Sequence, residues 1–264
     1  MKIIENIKDL RQNLNSYYKT EKKIGLIPTM GFLHEGHLSL VKSACAENDI
    51  VVVSIFVNPT QFGPQEDYDS YPKDIAGDAE KLKNLDVDYL FFPQVDEMYP
   101  QNYSTFVEVK GLTDKLCGSS RPGHFRGVTT VVSKLFNIVQ PDRAYFGQKD
   151  YQQFLVIKRL IQDLNIAIKL RMVPIVREKD GLALSSRNKY LNSKEKEAAV
   201  IIYKALKKGK ELIINGEKNA SNVKKEMRNL IKNETLAKID YLEVVDPDNL
   251  KIVNEIKNKV LLVL

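Results

Sequence analysis

Apolar positions along this chain alternate between two periods. Lys23 to Pro28 (KIGLIP) and Ile50 to Val57 (IVVVSIFV) are short β-branched runs that predict strands, the second apolar enough to be buried on both faces. Between them, Leu38, Val41 and Cys45 fall at helical spacing within His37 to Cys45, so strand, loop, helix and strand follow in the order of a βαβ unit. The same alternation continues downstream. Asp78 to Leu85 predicts a helix and Asp88 to Phe92 a strand. Val128, Val131, Val132, Leu135, Phe136 and Val139 form an i, i+3, i+4 stripe that stops before Pro141. Arg143 to Phe146 then reads as a strand, Tyr151 to Leu164 as a helix and Ile166 to Val173 as a strand.

Strands separated by helices predict an α/β fold, a Rossmann-like doubly wound parallel sheet with helices on both faces. After Val176 the pattern changes. A Lys/Asp/Gly-containing loop, REKDGLALSSRNKYL, precedes lysine-rich helices at Ser193 to Asn215 and Ala220 to Lys232, and strand-like pieces at Leu236 to Val245 and Lys259 to Leu264. These predict a second, smaller α+β C-terminal domain, with domains at 1–175 and 176–264.

Composition narrows the classes of function. Hydrophobic residues at 43% and charged residues at 28%, without a low-complexity tract, predict an ordinary folded globular protein. The start, MKIIENIKDLRQNL, mixes charge with apolar residues and has no apolar core of a secretion signal. The longest apolar run falls far short of the roughly 20 residues of a membrane-crossing helix. A cytoplasmic protein without a membrane partner is expected. Cys45 and Cys117 belong to no CxxC or Cys/His cluster and read as incidental thiols of a reducing compartment. The net charge of +6 lies largely in the C-terminal helices, as in KALKKGK, without interleaved aromatic residues. A solvated lysine face is the expectation there, not a nucleic-acid surface.

The first segment with chemistry is Pro28-Thr29-Met30-Gly31-Phe32-Leu33-His34-Glu35-Gly36-His37, which leaves the first predicted strand and enters the first predicted helix. Ligands of open parallel sheets bind beyond the carboxyl ends of the strands, and a helix amino terminus there offers free N–H groups to phosphate. Gly31 and Gly36 allow close backbone approach, and His34 and His37, three apart, can face one spot. The chain has three histidines and two lie in this window. His-x-Gly-His is also half of a metal site, but no third His or Cys lies nearby in sequence. In phosphoryl or nucleotidyl transfer, imidazole donors would stabilise the negative charge that grows on equatorial oxygens.

Three further segments lie where the predicted topology puts ligands. Gln61, in Asn58-Pro59-Thr60-Gln61-Phe62-Gly63, follows the buried strand and offers an amide donor and acceptor to a hydroxylated acid; turn chemistry alone accounts for Asn58-Pro59 and Gly63. Residues 64–74, acidic and tyrosine-rich, read as a surface loop. Gly147-Gln148-Lys149-Asp150 joins a strand to the helix with Gln152 and Gln153; alone, Lys149-Asp150 is a solvated turn and cap. Leu184-Ser185-Ser186-Arg187 supplies hydroxyl and guanidinium donors suited to phosphate, though it also reads as a polar linker. His124, in RPGHFRG, is expected to anchor the start of the Val128 helix.

Taken together, IPTMGFLHEGHLSLV, VVVSIFVNPTQFGPQEDYDSYPKD, SSRPGHFRGVTTVVSKLFNIVQPDRAYFGQKDYQQ and VPIVREKDGLALSSRNKYL resemble the pantoate-beta-alanine ligases of the HIGH-motif nucleotidyltransferase superfamily, in that family's order and spacing. The resemblance implies ATP and Mg2+, a homodimer, and ATP-dependent joining of pantoate to beta-alanine through a pantoyl adenylate. It implies that Met30, Gly31, His34, Gly36, His37, Gly147, Gln148, Lys149, Asp150, Val176, Leu184, Ser185, Ser186 and Arg187 contact ATP. It further implies that Gln61 and Gln153 bind pantoate, with Gln61 near beta-alanine, and that the C-terminal domain closes over the ATP site. His34, His37, Lys149, Ser186 and Arg187 would act by charge stabilisation and positioning, and Asp150 could help hold magnesium. Arg187 stands where a lysine is common in the superfamily. The rival enzyme reading is a nucleotidyltransferase whose acceptor is a phosphate; the rival of another class is an RNA-binding module using the basic tail.

Overall fold

In a computed structural model that describes residues 1–264, the β-branched runs become neighbouring strands. The elements in chain order are β1 (Lys2–Ile4), α1 (Ile7–Leu14), β2 (Ile24–Thr29), α2 (Glu35–Glu47), β3 (Ile50–Ile55), α3 (Ile75–Lys83), β4 (Tyr89–Phe91), α4 (Val95–Met98), α5 (Cys117–Ser120), α6 (His124–Val139), β5 (Arg143–Gly147), α7 (Tyr151–Asp163) and β6 (Lys169–Val173). There follow α8 (Ser193–Ala199), α9 (Ile201–Ile214), α10 (Ala220–Lys232), β7 (Glu243–Val245) and β8 (Leu261–Val263). Short 3-10 turns occupy Pro59–Gln61, Gln148–Asp150 and Ser186–Tyr190.

The first six strands form one parallel sheet in the order β1-β4-β3-β2-β5-β6. The α/β expectation is met. From β2 the chain builds outward through β3 and β4, then returns to place β5 on the other side of β2 and β6 beyond it. The order therefore reverses between β2 and β5, and in such sheets the ligand crevice opens at that point, outside the carboxyl ends. All six residues of β3 are buried, as its uninterrupted apolar run requires. Ile27, Val41, Val51, Val53, Leu82, Leu90 and Tyr145 join β2, α2, β3, α3, β4 and β5 in one core.

The chain forms two units, one of residues 1–114 and 121–176, the other of residues 115–120 and 177–264. In the second, α9 and α10 enclose Ala205, Val223, Met227 and Ile231 against Leu242 and Val244. No helix is long and apolar enough to cross a membrane.

Three local expectations change. The N-terminal segment, read without elements, supplies the edge strand β1 and the helix α1, whose Leu10 and Leu14 are fully buried. Its strand pairs with β4, some 87 positions away (Lys2 with Tyr89), and so leaves little local trace. Ser193 to Asn215 divides at Val200 into α8 and α9. The strands expected at Leu236 to Val245 and Lys259 to Leu264 contract to an antiparallel pair, Glu243–Val245 with Leu261–Val263, because only those residues find ladder partners.

Candidate active site

Two chain reversals build the crevice, one after β2 and one after β5. Beyond Thr29 the backbone turns through Gly31 (φ 86°) and Phe32 (φ 52°), both left-handed. A Cβ on Gly31 would lie 2.9 Å from Ile55 Cγ2, so space as well as conformation demands glycine there. Phe32 has no such freedom and is held from elsewhere. The carboxylate of Asp78, 1% exposed on α3, accepts the N–H groups of Phe32 and Leu33, each at 2.7 Å. Lys81 lies 3.6 Å from the same carboxylate and donates to the Leu33 carbonyl at 2.8 Å. Burial pushes the Asp78 carboxyl above its usual range, against the opposing pull of the two amides and Lys81. Sequence reading passed over Asp78 as the start of a helix. The available signal was a carboxylate on the face that α3 buries with Ala79 and Leu82.

This loop delivers the histidines to the first turn of α2. His34 is the N-cap, a position usually taken by Ser, Thr, Asp or Asn, and its Nδ1 accepts the Gly36 N–H at 3.1 Å. His37 Nδ1 in turn accepts the His34 N–H at 3.4 Å, closing a reciprocal cap. Both Nδ1 atoms are acceptors, so each neutral ring carries its proton on Nε2. The rings lie 4.1 Å apart, tilted by 35°. Burial first, then the charges of Lys149 and Lys81, lower the affinity of His34 for a second proton. His37 is driven down to about 3, by burial first and then by His34, Lys149 and Lys81. At neutral pH the pair is thus two uncharged N–H donors.

From the other side, β5 ends at Gly147 and the Gln148–Asp150 turn leads into α7. Lys149 and Asp150 are exposed, 3.6 Å apart, and both charges act on His34. The fold therefore gathers His34, His37, Lys149 and Asp150 at the switch point. Gln153 lies half-buried in the first turn of α7.

Gln61, 8% exposed, sits in the turn after β3. Its Oε1 accepts from Asn58 Nδ2 at 3.0 Å, and its Nε2 donates to the Met30 thioether at 3.1 Å, which joins this turn to the histidine loop. Asn58, 1% exposed, also donates to the Gly127 carbonyl at 3.1 Å and accepts from the Tyr99 hydroxyl at 2.8 Å. Burial holds that phenol's pKa up at about 12, so it remains a donor. The turn packs on α6 at Gly127, where a Cβ would stand 2.3 Å from the Thr60 carbonyl oxygen. His124 is the first residue of α6, and its ring Nδ1 lies 2.8 Å from the Gln61 carbonyl oxygen. A cavity of ≈ 320 Å³ lies against this turn, walled by Phe62, Phe106, His124 and Arg126; neither His34, His37 nor Lys149 lines it. Residues 64–74 are less of a free surface loop than expected. Tyr71 is buried, Phe62 packs edge-on against Tyr68 and Tyr71, and Glu66 pairs with Arg121.

Comparison with known proteins decides the family. The pantoate-beta-alanine ligase model matches residues 2–264. The chain belongs to the pantoate-beta-alanine ligase family. The pantothenate synthetase of Thermosipho africanus is 57% identical over 262 residues, covering 99% of this chain and 94% of that one. A crystal structure of the Thermus thermophilus pantothenate synthetase has 44% identity and a TM-score of 0.93, covering 97% of this chain and 91% of its own. The Francisella tularensis ligase, solved with beta-gamma ATP and beta-alanine, has 40% identity and a TM-score of 0.80, covering 99% and 96%.

The remaining expected ATP contacts of this ligase-family chain follow β6. Val176 is the last residue of the first unit, while Leu184 to Arg187 belong to the second. There an Arg177 to Ala183 bridge and a Glu178 N–H bond to the Leu182 carbonyl at 2.8 Å form a tight hairpin. Asn188 donates to the Ala183 carbonyl at 3.0 Å, and Ser185 Oγ caps the following turn by accepting the Arg187 N–H at 3.3 Å. Ser186 is buried.

Proposed function

We propose that the crevice at the carboxyl ends of β2 and β5 performs the family reaction in two steps. The chain catalyses ATP-dependent condensation of pantoate with beta-alanine to pantothenate. In the first step a pantoate carboxylate oxygen attacks the α-phosphorus of ATP, the bond to pyrophosphate breaks, and pantoyl adenylate forms. In the second, the amine of beta-alanine attacks the acyl carbon, AMP departs and the amine gives up its proton. No protein nucleophile is needed.

The observation that carries this reading is the pair of imidazoles held at Nδ1, which leaves each neutral ring with its proton on Nε2. Charge grows on the phosphoryl oxygens as pyrophosphate leaves, and pre-aimed donors stabilise that state more than the ground state. Lys149 adds positive charge at the same mouth, and Gly31, Gly36, Gly147 and Gln148 let ATP approach the backbone. Gln61 binds pantoate and adjoins beta-alanine; a thioether is a weak acceptor, so a substrate oxygen readily replaces Met30 as partner of the amide. Gln153 contributes a second amide to pantoate. Ser185, Ser186 and Arg187 hold phosphate oxygens, and Val176 and Leu184 contact the nucleotide. Asp150 would hold magnesium with the phosphates: its carboxylate is exposed, and magnesium on nucleotides commonly takes one or two carboxylates plus phosphate oxygens. Bound there, the ion supplies neutralisation of phosphate charge. A cytoplasmic homodimer without nucleic-acid or membrane partners completes the reading.

The test supplies pantoate, beta-alanine, ATP and magnesium and follows pantothenate and AMP by mass spectrometry, alongside pantoate-dependent exchange of pyrophosphate into ATP. Both products and exchange without beta-alanine are expected. AMP without pantothenate, or exchange indifferent to pantoate, would overturn the assignment.

A further inference from the structure

A line of polar groups runs from the segment after Gly63 to the backbone of Gln61. Glu66 grips the Arg121 guanidinium twice, Nε to Oε1 at 2.9 Å and Nη2 to Oε2 more closely. Arg121 Nη1 lies 3.2 Å from His124 Nε2, and His124 Nδ1 lies 2.8 Å from the Gln61 carbonyl oxygen. The direction of each bond follows from its ends. A guanidinium only donates and a carbonyl only accepts, so the ring must accept at Nε2 and donate from Nδ1. Only the neutral Nδ1–H tautomer satisfies both neighbours. Arg121 keeps the Glu66 carboxyl below its usual range, which keeps the guanidinium's partner ionised.

We propose that His124, set in this tautomer by Arg121 and Glu66, is a positioning residue that aims the Gln61 amide at pantoate. The inference rests on the reading of Gln61 as a pantoate ligand. Asn58 Nδ2 holds Gln61 Oε1 at 3.0 Å and Arg121 Nη2 stands 3.5 Å from the Gln61 carbonyl oxygen, but the remaining partners of Gln61 are weak or long. Its N–H reaches the Asn58 carbonyl at 3.3 Å, and its Nε2 donates to a thioether. With the carbonyl released, the 59–62 turn could re-aim the amide, and a small misplacement of a positioning group reduces rate and binding well beyond its contact energy. Because Glu66 lies after Gly63, the order of that segment is transmitted to the pantoate site by the same bonds.

Steady-state kinetics of His124→Ala, His124→Asn and Gln61→Ala test this. His124→Ala should raise the pantoate KM about tenfold, as expected for losing one buried hydrogen bond, and leave the ATP KM within about twofold. An asparagine amide nitrogen falls near the place of Nδ1, so His124→Asn should recover most of the loss. Arg121→Lys and Glu66→Gln should raise the same KM by smaller factors, which keeps the proposal testable if His124→Ala does not fold. Equal rises for pantoate and ATP, no rise at all, or an asparagine no better than alanine would overturn it in favour of a plain structural anchor. An unchanged pantoate KM in Gln61→Ala would defeat the Gln61 reading itself; a rise there without one in the His124, Arg121 and Glu66 variants would defeat the relay alone.

Discussion

The loops after β2 and β3 face the same crevice but are held in opposite ways. His34 and His37 fix each other across one helical turn, through bonds that span two and three residues. Gln61 has one near partner, Asn58, and otherwise depends on groups far along the chain: Met30, Gly127 and His124. The difference teaches where each half of the chemistry is vulnerable. The paired imidazoles come preformed with their helix, whereas the Gln61 turn takes part of its hold from α6 and from the histidine loop. Asp78 qualifies the contrast, since two of the amides leading to His34 are tied from α3.

The largest effect should come from His37→Ala. On the proposed mechanism it removes one donor to the transition state, and loss of such a donor lowers rate by roughly 10²- to 10³-fold. Pyrophosphate exchange should fall by that much while circular dichroism and the melting temperature stay near wild type, because the vacated N–H of His34 can turn to water. An undiminished exchange rate would remove the imidazoles from the mechanism.

Gly127→Ala attacks the other loop from more than sixty positions away. Its Cβ cannot coexist with the Thr60 carbonyl at 2.3 Å, so the 59–61 turn or α6 must move. Overpacking of this kind destabilises by about 1–3 kcal/mol. The expected signature is a lowered urea midpoint together with a raised pantoate KM, with His34 and His37 undisturbed, so that the ATP KM changes little. Loss of stability with an unchanged pantoate KM would break the dependence of Gln61 on α6.

The same contrast explains what was legible in the chain. The paired histidines at a strand-to-helix junction could be read because cap, spacing and sheet edge are local features. The β3 run announced a doubly buried strand for the same reason. Asp78 was invisible as a site residue because its amide partners lie 45 and 46 positions upstream. His124 gave no hint of Gln61, 63 positions away, and β1 is defined only by its pairing with β4. Spacing reveals what the backbone period brings together; docking between elements leaves no such period.

The smallest effect concerns acid. His37 holds its pKa at about 3 in the folded chain, against about 6.5 for a free imidazole. Between those values the unfolded chain binds a proton that the folded one refuses, so stability rises with pH across that window and is flat above it. His34 is shifted in the same direction. Acidification from pH 7.5 to 5 should therefore destabilise the wild type more than His37→Gln, by on the order of 1 kcal/mol after allowance for partial solvent screening. Urea titrations of both proteins at the two pH values measure this directly. Equal losses would mean that His37 accepts its second proton in the fold as readily as in water. The donor pair would then be charged in mild acid, and its position in the α2 cap, with both Nδ1 atoms accepting, could not be what keeps the two rings neutral.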